Sequence, residues 1–247
     1  MTTDLGGKSA LVTGGSRGIG AAIARRLAHD GASVAITYAS SKAKADEVVT
    51  SIERSGGKAM AMLADGRDAT TVMRAVDATA GKFGGLDILV NNAGVAPFAP
   101  IAELSLEDFD ACMNVNVRAV FAACKAALRH MPDGGRIITI GSIMADRMPM
   151  PGGSVYGMSK AAVAGLTRGL ARDLGPRRIT VNTVQPGPID TDMNPDQGDF
   201  AASLKGLMAL PRYGKADEIA AIVAFLASQE AAFITGACVN VDGGFGT

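Results

Sequence analysis

The sequence predicts an α/β fold, a doubly wound and mostly parallel sheet of seven strands with helices on both faces. Three observations predict it. Short β-branched runs alternate with longer amphipathic stretches along the whole chain, the pattern of right-handed βαβ crossovers. The runs are apolar with little alternation, as strands buried on both faces must be. No linker, low-complexity segment or internal repeat divides residues 1–247, so one domain is the economical reading.

Each element has its own warrant. "SALVT" (9–13) reads as a buried strand, and "GIGAAIARRLAHDG" as a helix stopped by Gly31. "SVAITY" (33–38) and "KAMAML" (58–63) are the second and third strands, each followed by an amphipathic helix. "LDILVNNAG" (86–94) is a fourth strand with its exit loop. One long helix is expected from Ser105, a good N-cap, to Met131. "GRIITIGS" (135–142) is the fifth strand. A helix over 154–174 follows, closed by Gly175-Pro176. "ITVNTVQPG" (179–187) is the sixth strand, 216–228 the last helix and 237–244 the last strand. The stretch 190–210 is polar and then apolar, which suits a mobile substrate lid.

Composition excludes several classes of function. Lys+Arg and Asp+Glu both number 24, so no global field favours nucleic acid or an anionic membrane. No apolar run approaches the ~18–20 residues that span a bilayer, and the first residues lack a signal pattern. A cytoplasmic protein is the expectation. The cysteines, Cys112, Cys124 and Cys238, have neither metal-ligand nor disulfide spacing. They read as structural thiols, and His29 and His130 as structural residues near helix ends. No metal is expected.

The first strand runs into "TGGSRGIG", with glycines at 14, 18 and 20. Such a turn needs residues free of Cβ constraints. It lets a diphosphate approach the backbone at the positive end of the next helix. Its place between strand and helix of a βαβ unit makes it a nucleotide site rather than a structural turn.

Two Tyr-x-x-x-Lys stretches compete for a catalytic role: "YASSK" (38–42) and "YGMSK" (156–160). In the second, Tyr156 and Lys160 share one face near the start of a helix, one turn apart. A tyrosine titrates near pH ~10, and a nearby lysine cation is expected to lower that value. Tuned this way, the phenol exchanges a proton with a carbonyl oxygen. Ser142 ends the fifth strand, and its hydroxyl can stabilise charge developing on that oxygen. No such company surrounds Tyr38.

The spacing Gly-x-x-x-Gly-x-Gly, "NNAG" at 91–94 and Tyr156-x-x-x-Lys160 together resemble the short-chain dehydrogenase/reductase family. The resemblance runs from Thr13 to "VDGG" at 241–244. It is strongest to bacterial 3-oxoacyl-acyl-carrier-protein reductases and related ketone reductases. It implies a Rossmann-type fold and a catalytic set of Asn116, Ser142, Tyr156 and Lys160. Asn116 matches the family's anchor of a water relay to the lysine. Asn114, about 200° around the helix, is assigned a structural role. Lys160 would also bond the nicotinamide ribose.

The resemblance further implies a cofactor surface. It includes Gly14, Ser16, Arg17, Gly18, Ile19 and Gly20 of the turn. Tyr38, Ala39 and Ser40 follow strand two, and Asp65 and Gly66 follow strand three beside the adenine. Asn92, Ala93 and Gly94 follow strand four. Pro186, Gly187, Ile189 and Thr191 hold the carboxamide end. An acid at the end of strand two would select NAD; Tyr38 stands there instead, with Arg17 close by. NADPH/NADP+ is therefore the expected cofactor, with Ser40, Ser41 and Lys42 as further donors. A neutral pocket that accepts NADH is the alternative.

The expected activity is reversible reduction of a ketone or 3-oxoacyl carbonyl to a secondary alcohol. Its partners would be a small-molecule ketone or alcohol, or an acyl thioester. A carrier-protein user needs a basic patch, for which Arg129, Arg147 and Arg172 are candidates. A nucleotide-binding regulator on the same fold is the competing reading. Alanines 119, 122, 123, 126 and 127, with the small residues 161, 162, 164, 165, 169 and 171, suggest helices paired between subunits. The expectation is a homotetramer with two isologous interfaces.

Overall fold

A computed structural model describes residues 3–247. The strands are β1 (Ser9–Val12), β2 (Ser33–Tyr38), β3 (Lys58–Leu63), β4 (Ile88–Asn91), β5 (Arg136–Ile140), β6 (Thr180–Pro186) and β7 (Cys238–Val241). They form one sheet in the order β3-β2-β1-β4-β5-β6-β7. All its pairings are parallel. The order reverses between β1 and β4, where a ligand crevice opens at the carboxyl edge.

The side-chain period of two assigns each strand residue to a face. Ala10 and Val12 point to the side covered by α1 (Gly18–His29), α2 (Lys42–Arg54) and α8 (Ala216–Ala227). Leu11 points the other way, toward α3 (Ala69–Phe83), α5 (Ala119–Ala127) and α6 (Ser154–Leu174). The alanines of α5 pack into this second layer, and Ala119, Ala122, Ala123, Ala126 and Ala127 are all buried in their own chain. They are therefore removed from the argument for a subunit interface. A third, smaller cluster sits at the carboxyl edge. There α7 (Gly198–Lys205) buries Ala201 and Leu204 against Ile143, Tyr213 and Phe245.

One expected element differs. The helix from Ser105 is not continuous to Met131. Helix α4 (Leu106–Met113) passes into a single π turn at Asn114–Arg118 before α5 begins. The wider turn lets Val115 and Asn116 both face inward, which a regular 100° step does not favour for the amide. Asn114 faces out and accepts from Arg118. Helix α6 ends at Leu174 with Gly175 as its C-cap, as expected. The chain continues through a 3₁₀ turn, Gly175–Arg177, and reverses at Arg178 with φ +57°. Proline is tolerated in a first turn, where its missing N–H has no acceptor. His29 pairs with Asp30 and His130 with Asp77, both at helix ends.

The expected N-cap is a full capping box. Ser105 Oγ accepts the Asp108 N–H at 3.0 Å, and the Asp108 carboxylate accepts the Ser105 N–H at 3.1 Å. Ser105→Ala should cost about 1 kcal/mol, or about 2–4 °C of Tm in a chain this long. A thermal melt indistinguishable from wild type would show that the box adds nothing.

Candidate active site

The site begins at the glycine-rich turn. Gly14 and Gly18 adopt φ +65° and +52°, conformations that disfavour a side chain. A Cβ on Gly20 would lie 2.4 Å from both the Gly14 carbonyl oxygen and Asn92 Nδ2. Asn92 Nδ2 donates to the carbonyls of Thr13 and Gly14, each at 2.9 Å. Thr13 Oγ1 accepts the N–H groups of Asn92 and Ala93, and Thr37 Oγ1 accepts that of Gly14. The turn is thus moored to β2 and to the exit of β4. Arg17, at the N-cap of α1, makes no side-chain cap, and no acid stands in the first turn. The helix presents its first N–H groups unoccupied by its own side chains, a seat for an anion.

A cleft of about 720 Å³ extends from this turn along the carboxyl edge, within the range of small-molecule sites. Its lining includes Gly14, Ser16, Arg17, Gly18, Ile19, Gly20, Tyr38, Ala39, Ser40, Asp65 and Gly66. It continues past Asn92, Ala93 and Gly94 to Ser142, Tyr156, Lys160, Pro186 and Thr191. Gly187 and Ile189 stand outside the lining. A Cβ on Gly187 would meet Asp242 at 2.7 Å, and Ile189 is buried in the core. A Cβ on Gly66 would lie 3.2 Å from the Val115 side chain. Asp65 is held by Arg67 through two guanidinium nitrogens.

At the other end, Asn116, Ser142 and Lys160 are 2%, 7% and 5% exposed. Asn116 does not line the cleft; it builds its wall. Its amide accepts from the Val95 N–H and donates to the Val95 carbonyl, both at 2.9 Å. It also donates to Ser159 Oγ at 2.9 Å, which in turn donates to the Tyr156 carbonyl. Lys160 Nζ donates to the Ile140 carbonyl at 2.9 Å and lies 5.6 Å from the Tyr156 ring centre. A Cβ on Gly94 would lie 3.5 Å from both Asn116 Oδ1 and Lys160 Nζ. Ser142 caps the short turn Ile143–Ala145. Phe98 packs on Tyr156 with ring centres 5.7 Å apart.

The electrostatics correct one expectation. The Tyr156 phenol is not lowered: burial raises it above its ordinary value, opposed more weakly by the Ser142 side chain. Burial also lowers Lys160 to about 8. Both shifts have the same cause, since a dry site disfavours the charged form of either group. At the end of the cleft beside β2, Lys42, expected as a phosphate donor, is turned aside. Lys42 turns to Asp46 at 2.6 Å, whereas Lys44 reaches Asp192 of the lid segment at 2.7 Å. Arg17 lies 3.6 Å from the same Asp192 carboxylate.

Sequence reasoning also missed Thr13, Thr37 and Ser159. Ser159 was findable, because it lies three residues beyond Tyr156 on the same helix face. The Lys44–Asp192 pair, 148 residues apart, has no local signal. The three arginines considered for a carrier protein do not gather. Arg129 pairs with Asp77, Arg147 turns to the carbonyls of Phe245 and Thr247, and Arg172 lies in the last turn of α6. Among the described residues, no His/Cys/Asp/Glu group could hold a metal, and no helix is long and apolar enough to cross a membrane.

Comparison with known proteins finds relatives along almost the whole chain. A family profile described as enoyl-(acyl carrier protein) reductase matches residues 14–246. The cyclic-di-GMP-binding biofilm dispersal mediator protein of Escherichia coli K12 is 49% identical over 240 residues, 97% of this chain and 98% of its own. A short-chain dehydrogenase/reductase of Serratia marcescens superposes with TM-score 0.97 at 57% identity, covering 98% of this chain and 99% of that one. A short-chain dehydrogenase of Burkholderia cenocepacia in complex with NADP does so with TM-score 0.97 at 56% identity and the same coverage. The chain belongs to the short-chain dehydrogenase/reductase family, a family of oxidoreductases.

The depressed Lys160 value has a consequence for stability. Below about pH 8 the ammonium is charged in both folded and unfolded chains, and its burial penalty is constant. Between about 8 and the ordinary lysine value of 10.5 the unfolded chain binds more protons, so stability rises with pH. Tyr156, shifted upward, acts oppositely only above pH 10. Urea unfolding of wild type and Lys160→Met from pH 8 to 10 should show a rising difference in favour of wild type. Parallel curves would contradict the buried-ammonium account.

Proposed function

We propose that the chain is an NADPH-preferring carbonyl reductase, interconverting a ketone or 3-oxoacyl carbonyl and a secondary alcohol. The observation that carries this reading is the convergence of Ser142, Tyr156 and Lys160 on one end of a cleft whose other end is a glycine-lined anion seat. The glycine cradle and open helix terminus fit a dinucleotide, and the Burkholderia relative holds NADP. A bound NADPH supplies the hydride.

The protein's own groups handle the proton and the oxygen. Burial keeps the Tyr156 phenol protonated at neutral pH, the state needed to donate to a carbonyl oxygen receiving negative charge. The Ser142 hydroxyl holds that oxygen. The Lys160 ammonium beside the ring stabilises the phenolate left behind. Asn116 acts through structure, fixing Val95 and Ser159 and so the spacing of the wall from α6. Phe98, Met148 and Met193 present partly exposed apolar side chains around the reacting end, and Phe200 does so on α7. This favours a substrate with an apolar body.

The name of the Escherichia coli relative supports a second reading, a nucleotide-binding regulator. The two separate cleanly. A panel of ketones and 3-oxoacyl esters, run with NADPH and NADH in parallel, should show turnover preferring NADPH. Tyr156→Phe should lower kcat at least ~100-fold while NADP+ binding stays within a few-fold. Activity within tenfold of wild type would end the proton-donor role. Tight cyclic-di-GMP binding with no turnover would favour the regulator.

We also propose a homotetramer. With the α5 alanines buried, the surviving support is the exposed apolar surface of Leu106, Phe109, Phe121 and Met158, beside Ala161 and Gly165. Such a patch is costly to leave in water. Light scattering at micromolar concentration should give a tetramer mass, and a monomer mass would refute it.

A further inference from the structure

The adenosine end of the cleft carries an anion of the protein's own. Asp192 follows β6 in the segment that leads to α7, and its carboxylate lies between two cations from different elements. Lys44, in the first turn of α2, donates to Oδ2 at 2.7 Å, and Arg17 Nη1 lies 3.6 Å from the same oxygen. The neighbouring Thr191 lies over the glycine-rich turn, 3.4 Å from where a Gly18 Cβ would stand. Arg17 and Asp192 both line the cleft, as do Ser40 and Ser41. The other carboxylates of this region are occupied elsewhere, Asp46 by Lys42 and Asp65 by Arg67.

Two cations facing one gap repel each other unless an anion sits between them. Asp192 is that anion in the free protein. A phosphomonoester brought to the same gap carries close to two negative charges and has stronger claims on both cations. It also repels the carboxylate. A ribose hydroxyl makes neither demand.

We infer that Asp192 is a resident counter-anion of the 2′-phosphate seat, which NADP(H) must displace from Arg17 and Lys44 and NAD(H) need not. Asp192 and Lys44 are thereby specificity-determining residues with opposite signs. Lys44 favours the phosphorylated cofactor. Asp192 restrains that preference by competing with the phosphate for both cations. The inference rests on the dinucleotide reading proposed above.

Binding, measured by calorimetry without turnover, tests it. NADP+ and NAD+ are titrated into wild type, Asp192→Asn and Lys44→Gln, with adenosine 2′,5′-bisphosphate and AMP as probes of the adenosine end alone. Asp192→Asn should tighten NADP+ and the bisphosphate about three- to tenfold and leave NAD+ and AMP within twofold. Lys44→Gln should weaken the first pair by a similar factor and spare the second. Equal effects on both pairs, no effect, or weaker NADP+ binding by Asp192→Asn would overturn the inference while leaving the cofactor reading intact. A wild type that binds neither dinucleotide overturns both.

Discussion

One buried carboxamide holds the reacting end of this molecule together. Asn116 spends its oxygen and its amide hydrogens on Val95 and Ser159, so it joins the exit of β4, the π turn and α6 at one point. Ser159 passes the constraint to the Tyr156 carbonyl within the same helix. Lys160, the next residue, is then directed to the Ile140 carbonyl at the end of β5. Two strands, the π turn at Asn114–Arg118 and α6 thus meet through these side-chain bonds. In a regular helix the amide would be turned away from one of its partners. The π turn, a local defect by helical standards, is therefore the element on which the catalytic spacing depends.

The same burial explains the chemistry better than ion pairing does. A lysine beside a tyrosine suggests a lowered phenol, but that argument leaves out the desolvation of the phenol itself. Here both groups are dry, and each is pushed toward its neutral form. A protonated phenol is suited to donating in reduction. The phenolate, which the reverse direction would require, is disfavoured by burial even with Lys160 Nζ 5.6 Å from the ring centre. The direction in which the residues are poised is set by desolvation, and the surrounding charge then adjusts it.

Much of this was readable in the chain. Seven strands and their order of appearance follow from apolar runs, and the glycine positions follow from the geometry of a tight turn. The two Tyr-x-x-x-Lys stretches differ in setting: Tyr156 and Lys160 share α6 with Ser142 upstream, whereas Tyr38 ends β2 and Lys42 opens α2. The unreadable parts share one physical feature: they depend on contacts distant in sequence. A π turn keeps nearly the periodicity of a helix, so the pattern over 105–131 does not betray it. The α5 alanines suit a subunit interface and a core equally well until the sheet is placed beneath them. The sign of the Tyr156 shift depends on how much water the fold excludes, and the choice of Lys44 over Lys42 depends on where Asp192 arrives.

The two ends of the cleft consequently obey different electrostatics. At the reacting end, charges are desolvated and salt has little access to them. At the adenosine end, the side chains of Arg17, Lys44 and Asp192 are each about half exposed, at 51%, 51% and 53%. Mobile ions screen such charges over about 8 Å at physiological ionic strength, and single exposed pairs are weak. Selection of the cofactor is therefore adjustable by one or two surface substitutions, because it rests on small differences among screened charges. The buried groups proposed for catalysis are not adjustable in that way. They are fixed by Asn116, Ser159 and the Ile140 carbonyl, and changing any of them disturbs packing and protonation together. Divergence within such a scaffold should concentrate at the rim, where charge can change without moving the wall.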